Sequence, residues 1–80
     1  NRPNPFKDKS VITLTVPSDA GQAAINIYDM SGKQVQAIPV SERGKTNITV
    51  YANRLQPGMF IYSLLVDGKV QATRKMMVTE

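Results

Sequence analysis

The chain lacks both cysteine and histidine, and these absences exclude several kinds of chemistry. Without cysteine no disulfide can reinforce the fold, and without either residue a zinc site of the usual Cys/His type cannot form. Acid–base and nucleophilic catalysis draw mainly on histidine, cysteine or converging carboxylates. The acidic residues fall mostly in predicted turns or at the chain end: Asp8, Asp19, Asp29, Glu42, Asp67 and Glu80. We therefore expect no enzyme, no metal site and no bound cofactor.

Long apolar runs and blocks of like charge are also missing. No segment approaches the ~18 apolar residues that a membrane-spanning helix needs, so we expect no stable membrane insertion. The 10 basic residues are spread along the chain, with 6 acidic residues against them, which does not favour nucleic acid as a partner. The chain opens on N-R-P without a signal peptide and looks cut from a longer one, so we expect any export signal to lie upstream.

The sequence contains alternation of apolar and polar residues in place of helical periodicity. Its 80 residues predict a single domain over residues 1–80, with residues 1–9 as a linker-like lead-in. Turn residues separate the alternating segments at intervals of about eight to twelve residues, which is typical of antiparallel all-β sandwiches. The predicted strands are residues 10–16, 22–30, 33–40, 46–52, 59–66 and 69–79.

Specific positions in these strands carry predictions about the fold. Pro39 lacks the N–H group that a strand ladder needs, so its strand should lie at a sheet edge. Residues 59–66 form the most apolar segment and should be a central strand. The positions predicted to face a common core are Ile12, Leu14, Ile25, Ile27, Val50, Leu64 and Val66.

The last third of the chain predicts a terminal β-hairpin. A Pro-Gly pair at residues 57–58 predicts a type II turn before it. An Asp-Gly pair at residues 67–68 is a strong signal for a two-residue hairpin turn with positive φ at the glycine. The final strand carries a basic pair, Arg74 and Lys75. From the residues alone, this pair is either a recognition element or a charged guard on a sheet edge.

Four segments, taken in order, resemble a known family. They are residues 3–6 (P-N-P-F), 25–35 (I-N-I-Y-D-M-S-G-K-Q-V), 55–62 (L-Q-P-G-M-F-I-Y) and 67–69 (D-G-K) leading to 74–78 (R-K-M-M-V). Their order and spacing resemble the type A C-terminal sorting domain of the type IX secretion system, over essentially the whole chain. The resemblance implies an immunoglobulin-like β-sandwich of about seven antiparallel strands.

The resemblance also implies a route and partners. In that family the domain follows a cargo domain in the same chain and directs it from the periplasm through the outer-membrane translocon, together with a shuttle protein. A sortase-like surface peptidase commonly removes the domain. The cargo then stays at the cell surface or is secreted. The alternative function is an immunoglobulin-like carbohydrate-binding or adhesive spacer module. Tyr28, Tyr51 and Tyr62 are candidates for a carbohydrate- or base-stacking platform, but each falls on an alternating strand, where an aromatic side chain more often packs a core or covers a sheet face.

The resemblance supplies candidate site residues in the terminal hairpin. The Gly-x-Tyr motif of the family falls on residues 58–60, where Phe60 replaces the tyrosine, and its late basic position falls on Lys75. An exposed terminal hairpin offers a backbone edge and side chains together, which suits recognition by strand addition. The residues predicted to be recognised by the translocon are Gly58, Phe60, Asp67, Gly68, Lys69, Arg74 and Lys75.

Overall fold

The computed structural model describes residues 8–52 and 55–79, and within them the chain is almost entirely β-strand. The strands are β1 (Lys9–Val16), β2 (Ala23–Asp29), β3 (Gln34–Val40), β4 (Gly44–Tyr51), β5 (Gly58–Val66) and β6 (Lys69–Val78). Each falls on one of the alternating segments, because alternation places one row of apolar side chains on the core side of a strand. No α-helix occurs in the described ranges, and the predicted all-β fold is confirmed.

The strands form two antiparallel sheets. The smaller sheet pairs β1 with β4, and the larger sheet has the order β3-β2-β5-β6. Apolar side chains from both sheets belong to one buried cluster, which is the arrangement of a sandwich consistent with an immunoglobulin-like fold. The described residues contain six strands and not about seven, because every alternating segment in them is already used.

The core lies between the sheets and contains all the residues predicted to be there. Ile12, Leu14 and Val50 of the smaller sheet are buried. So are the residues predicted from the larger sheet: Ile25, Ile27, Leu64 and Val66. Burying one such aliphatic side chain stabilises the fold by about 1.5–3 kcal/mol. Since the chain has no disulfide, this shared core is the main source of its stability.

Two predictions about strand position are confirmed. Pro39 lies in β3, which has β2 on one side and no described strand on the other. The proline is exposed, and the ladder donor that it lacks is tolerated at an edge. The apolar strand β5 lies between β2 and β6 and is central in the larger sheet.

The two predicted turns have different outcomes. Val66 pairs with Lys69, so residues 67–68 form a two-residue turn. The φ angles are 52° at Asp67 and 81° at Gly68, as in a type I′ hairpin turn, and this prediction is confirmed. Gly58 has a positive φ of 144°, far from the ~80° of a type II turn, so that turn type is wrong. The reason is that Gly58 is already paired with Val78 as extended strand.

The predicted lead-in, residues 1–9, lies outside the described residues apart from its last two. Lys9 already begins β1. The carbonyl oxygen of Asp8 accepts a hydrogen bond from the amide of Ala52 at 2.8 Å, next to the end of β4. The P-N-P-F segment at residues 3–6 lies wholly outside the described ranges.

Candidate recognition site

The terminal hairpin, residues 58–78, contains every residue predicted to be recognised. The hairpin is built from β5, the Asp67-Gly68 turn and β6, paired from Gly58–Val78 to Val66–Lys69. Because neighbouring residues of a strand point to opposite faces, these side chains cannot share one surface. The structure instead distributes them over the core, the turn and the two faces of β6.

The Gly-x-Phe segment at the start of β5 faces the core. Phe60 is only 7% exposed and pairs across the sheet with Met76. Phe60 belongs to the core cluster, so little of it is accessible to a partner bound to the folded hairpin. Gly58 is exposed and lies opposite Val78, at the end of the hairpin furthest from the turn. Phe60 therefore packs this end of the hairpin into the core.

Arg74 and Lys75 are both exposed but lie on opposite faces of the larger sheet. Arg74 pairs with Tyr62 on the face that looks toward the smaller sheet. Lys75 pairs with Ile61 on the outer face. Neither side chain has a salt-bridge partner among residues 8–52 and 55–79. The basic pair therefore presents one free cation on each side of β6.

Tyr62, opposite Arg74 on the inner face of the larger sheet, is half-buried. Partial burial raises the pKa of its phenol, while the nearby positive charge of Arg74 acts in the opposite direction. The tyrosine therefore stays protonated at ordinary pH. Tyr62 also packs against the core cluster, while Arg74 opposite it is exposed.

The turn of the hairpin is tied to the loop between β1 and β2. The amides of Gln22 and Gly21 donate hydrogen bonds to the Asp67 carboxylate at 2.8 and 3.3 Å. The Asp67 amide donates in return to the Gln22 carbonyl oxygen at 2.8 Å. These bonds, that of Gln22 first, lower the pKa of Asp67, and the positive charges of Arg43 and Lys69 add to the effect. Asp67 therefore positions the turn.

Gly21 and Arg43 complete this attachment. A Cβ at Gly21 would lie 2.7 Å from the Asp67 Oδ1 atom, so only glycine leaves room for the carboxylate. The Arg43 guanidinium donates to the carbonyl oxygens of Ala20 and Gly21 at 3.2 and 3.1 Å. It also donates to the Val40 carbonyl oxygen at 3.3 Å. Sequence analysis missed Gly21 and Arg43, because no local pattern indicates bonds between such distant segments.

The other exposed residues of the turn are Gly68 and Lys69. Gly68 adopts the positive φ that the turn requires. Lys69 begins β6, is exposed, and lies close enough to Asp67 to lower the pKa of that carboxyl. Lys69 is therefore available to a partner, while Gly68 serves the backbone geometry.

The three tyrosines do not form a platform. Tyr28 pairs with Ile61 on the outer face of the larger sheet. Tyr62 pairs with the fully buried Ile27 on the inner face of the same sheet. Tyr51 lies at the end of β4, on the outer face of the smaller sheet. Because the rings occupy three different faces, they do not form a shared stacking platform, in keeping with the favoured interpretation that each tyrosine packs against its own sheet.

Two other kinds of site are absent from residues 8–52 and 55–79. No group of three or more acidic residues there is placed to hold a metal ion. No helix in those ranges is long and apolar enough to cross a bilayer.

Comparison with known proteins gives one match. The family model described as "Secretion system C-terminal sorting domain" matches residues 3–79. No curated protein and no solved structure matches the chain significantly.

Proposed function

The chain belongs to the family of type IX secretion-system C-terminal sorting domains, and from this premise we propose that it carries a cargo domain from the periplasm through the outer-membrane translocon. A domain of this family is a sorting signal and not a catalyst. It implies an upstream cargo domain, interaction with the type IX machinery, and export to the cell surface or the medium.

One observation of the fold supports the terminal hairpin as the recognised element. β6 is an edge strand with no described strand on its far side, and residues Lys69, Arg74 and Lys75 along it are all exposed. A receptor can therefore contact backbone and basic side chains of the same strand. We assign direct contact to these three residues.

The remaining candidate residues act indirectly in this proposal. Asp67 and Gly68 fix the turn, and Gly58 and Phe60 fix the opposite end of the hairpin. The partners in the proposal are the translocon, its shuttle protein and a sortase-like surface peptidase that removes the domain. A small domain with a folded hairpin suits this role. Because the hairpin is already folded, binding does not carry the entropic cost of ordering it.

The proposal is tested by fusing the 80-residue chain behind a periplasmic reporter in a host that has the secretion system. We expect the reporter at the cell surface or in the medium. Removal of residues 74–80 should trap it in the periplasm. This deletion also removes Met76 and Val78 from the core, so it acts partly through folding.

A sharper test replaces one exposed charge. Lys75→Ala should reduce export of the reporter, because it removes the outer-face cation without altering the core. Lys9→Ala is the matched control, since Lys9 is also an exposed lysine on a strand but lies in the smaller sheet. Unchanged export with Lys75→Ala and with the deletion would contradict the proposed function.

A further inference from the structure

The smaller sheet leaves a strand position open beside β1. Two strands of this sheet face four strands of the larger sheet, and no described strand lies on the free side of β1. A cleft of about 390 Å³ lies at that place, between residues of β1 and residues of β6. We call it the flank cleft.

One side of the flank cleft is formed by the edge of a strand, and its base is apolar. Thr13, Leu14 and Thr15 line it in succession. Because neighbouring residues of a strand point to opposite faces, three in a row mean that the backbone edge of β1 itself borders the cleft. Leu64 and Ala72, which pair across β5 and β6, supply the apolar floor.

The charge of the flank cleft is of one sign. Lys45 and Arg74 both line it, and no aspartate or glutamate does. Both side chains are exposed. An incoming carboxylate would therefore meet two cations with no competing acid in the lining, which favours an acidic partner.

The edge of β1 also suits pairing better than two other free edges. β3 contains Pro39, which lacks a ladder donor. In β6 the register shifts at Leu64 and Leu65, so that Gln71 is left without a partner residue, and such a bulge interrupts the regular spacing of hydrogen bonds. The register of β1 with β4 runs without a shift from Lys9 to Val16, so the outer edge of β1 is regular over its length.

We propose that the flank cleft is a strand-addition site for an extended, acidic segment of a partner protein. The segment pairs with the edge of β1 at residues 13–15, sets an apolar side chain over Leu64 and Ala72, and places a carboxylate near Arg74. This inference rests on the proposed sorting function and specifies the chemistry of its partner. It gives Arg74 and Lys75 separate contacts, since only Arg74 lines the cleft.

The probe for this site is a fluorescein-labelled peptide in which valine alternates with glutamate, measured by fluorescence anisotropy with the 80-residue chain. We expect saturable binding that weakens as salt is raised. A peptide of valine alternating with lysine should bind at least about tenfold more weakly, because it meets like charges. A peptide with a central proline should also bind weakly, because proline removes a ladder donor.

Matched double variants locate the charge dependence. Lys45→Gln with Arg74→Gln removes both cleft cations and should weaken binding of the glutamate peptide about tenfold, from two surface ion pairs. Lys9→Gln with Lys33→Gln removes the same net charge from exposed residues outside the cleft lining and should change the affinity less than about twofold. An equal loss of affinity for the glutamate peptide in the two double variants would overturn the proposal. Thermal unfolding of each variant checks that both remain folded.

Amide chemical shifts of the isotope-labelled chain then locate the bound peptide. We expect the largest changes at residues 13–15 and 71–74. Changes centred on β3, or on the outer face around Ile61 and Lys75, would overturn the proposal, as would an absence of saturable binding up to millimolar peptide. Changes at β1 that appear on concentrating the chain alone would assign the cleft to a second copy and would also overturn it.

The reporter assay separates this inference from the proposed function. Export that depends on Lys75 but is unaffected by Arg74→Gln, together with failed peptide binding, would overturn the flank-cleft proposal and leave the sorting function standing. A reporter that the chain does not export at all would overturn the sorting function itself, whatever the peptide does.

Discussion

The two sheets present the same kind of side chain inward and different kinds outward. The outer face of the smaller sheet is mostly polar, and on it the Thr13 hydroxyl donates to the Asn47 Oδ1 atom at 3.0 Å. The outer face of the larger sheet has a half-buried apolar patch with one lysine beside it: Tyr28, Met59, Ile61, Leu65 and Met77 with Lys75. All candidate recognition residues also belong to the larger sheet or its hairpin turn.

The inward faces of both sheets contribute to stability, whereas the outward faces differ and can serve recognition. A core between two sheets needs apolar residues from both, so both sheets are equally constrained inward. Outward faces are not constrained by the core, so their composition reflects solvent or partners. The smaller sheet covers the core and borders the flank cleft with β1, while the larger sheet adds the hairpin. The following experiments test this division.

The largest effect is expected from removing residues 74–80. The deletion takes Met76 and Val78 out of the core and shortens the edge strand of the larger sheet. Burial of such side chains contributes about 1.5–3 kcal/mol each, against a total stability of about 4–12 kcal/mol for a chain of this length. We expect loss of cooperative thermal unfolding in circular dichroism. A cooperative transition near that of the intact chain would show that the core does not need β6.

A single core truncation in each sheet should cost a similar amount. Leu64→Ala in the larger sheet and Ile48→Ala in the smaller sheet should each lower the free energy of unfolding by about 2–5 kcal/mol, because both residues are buried. Val11→Ala is the control on the outer face of the smaller sheet. Its side chain is 54% exposed, and we expect a change within about 0.5 kcal/mol. Chemical denaturation measures all three.

A small decrease in the free energy of unfolding for Ile48→Ala, together with a large decrease for Leu64→Ala, would contradict the view that both sheets contribute equally to the core. It would mean that the smaller sheet can open without unfolding the larger one. Similar losses, with unchanged dependence on denaturant, would mean that the two sheets unfold as one unit.

An intermediate effect is expected at the attachment between the hairpin turn and the β1–β2 loop. Since the folded pKa of Asp67 is lowered from 3.8, its carboxylate adds stability that is present above this value and lost as the pH falls through the folded pKa. Asp67→Asn keeps a residue that tolerates the positive φ and removes the charge. It should lower the melting midpoint at pH 7 and weaken the dependence on pH below 4.

A second change checks that the same contact is responsible. Gly21→Ala would place a Cβ 2.7 Å from the carboxylate and displace it. The double variant Gly21→Ala with Asp67→Asn should lose less stability than the sum of the losses in the two single variants, because both substitutions disturb the same interaction. Asp29 also has a lowered pKa, mainly from its bond with the Ser31 hydroxyl, so part of the acid sensitivity should persist in Asp67→Asn. Additive losses would contradict this interpretation.

The smallest effect on stability is expected at the basic pair. Arg74→Ala and Lys75→Ala remove exposed side chains without salt-bridge partners in the described part of the chain, so each should change the free energy of unfolding by less than about 0.5 kcal/mol. Thermal unfolding checks this. Export that falls while the melting midpoint holds would separate recognition from folding, whereas a lowered midpoint for either variant would contradict that separation.

The sequence alone determined the strands, the core and the tight turn. These features follow from local rules: alternation assigns faces, Pro39 indicates an edge, and Asp-Gly indicates a two-residue turn. The family resemblance also indicates the terminal hairpin as the recognised element. The turn type at Gly58 was wrong because pairing with Val78, a contact distant in sequence, sets that backbone.

Only the tertiary structure decided which of these residues share a surface. Phe60 was among the predicted recognition residues but lies in the core, and Arg74 and Lys75 point to opposite faces of one strand. The attachment of Asp67 to Gly21 and the cleft between β1 and β6 join segments far apart in the chain. The physical reason is that local alternation specifies the two faces of each strand, whereas register and sheet stacking, which depend on long-range packing, specify what each face meets.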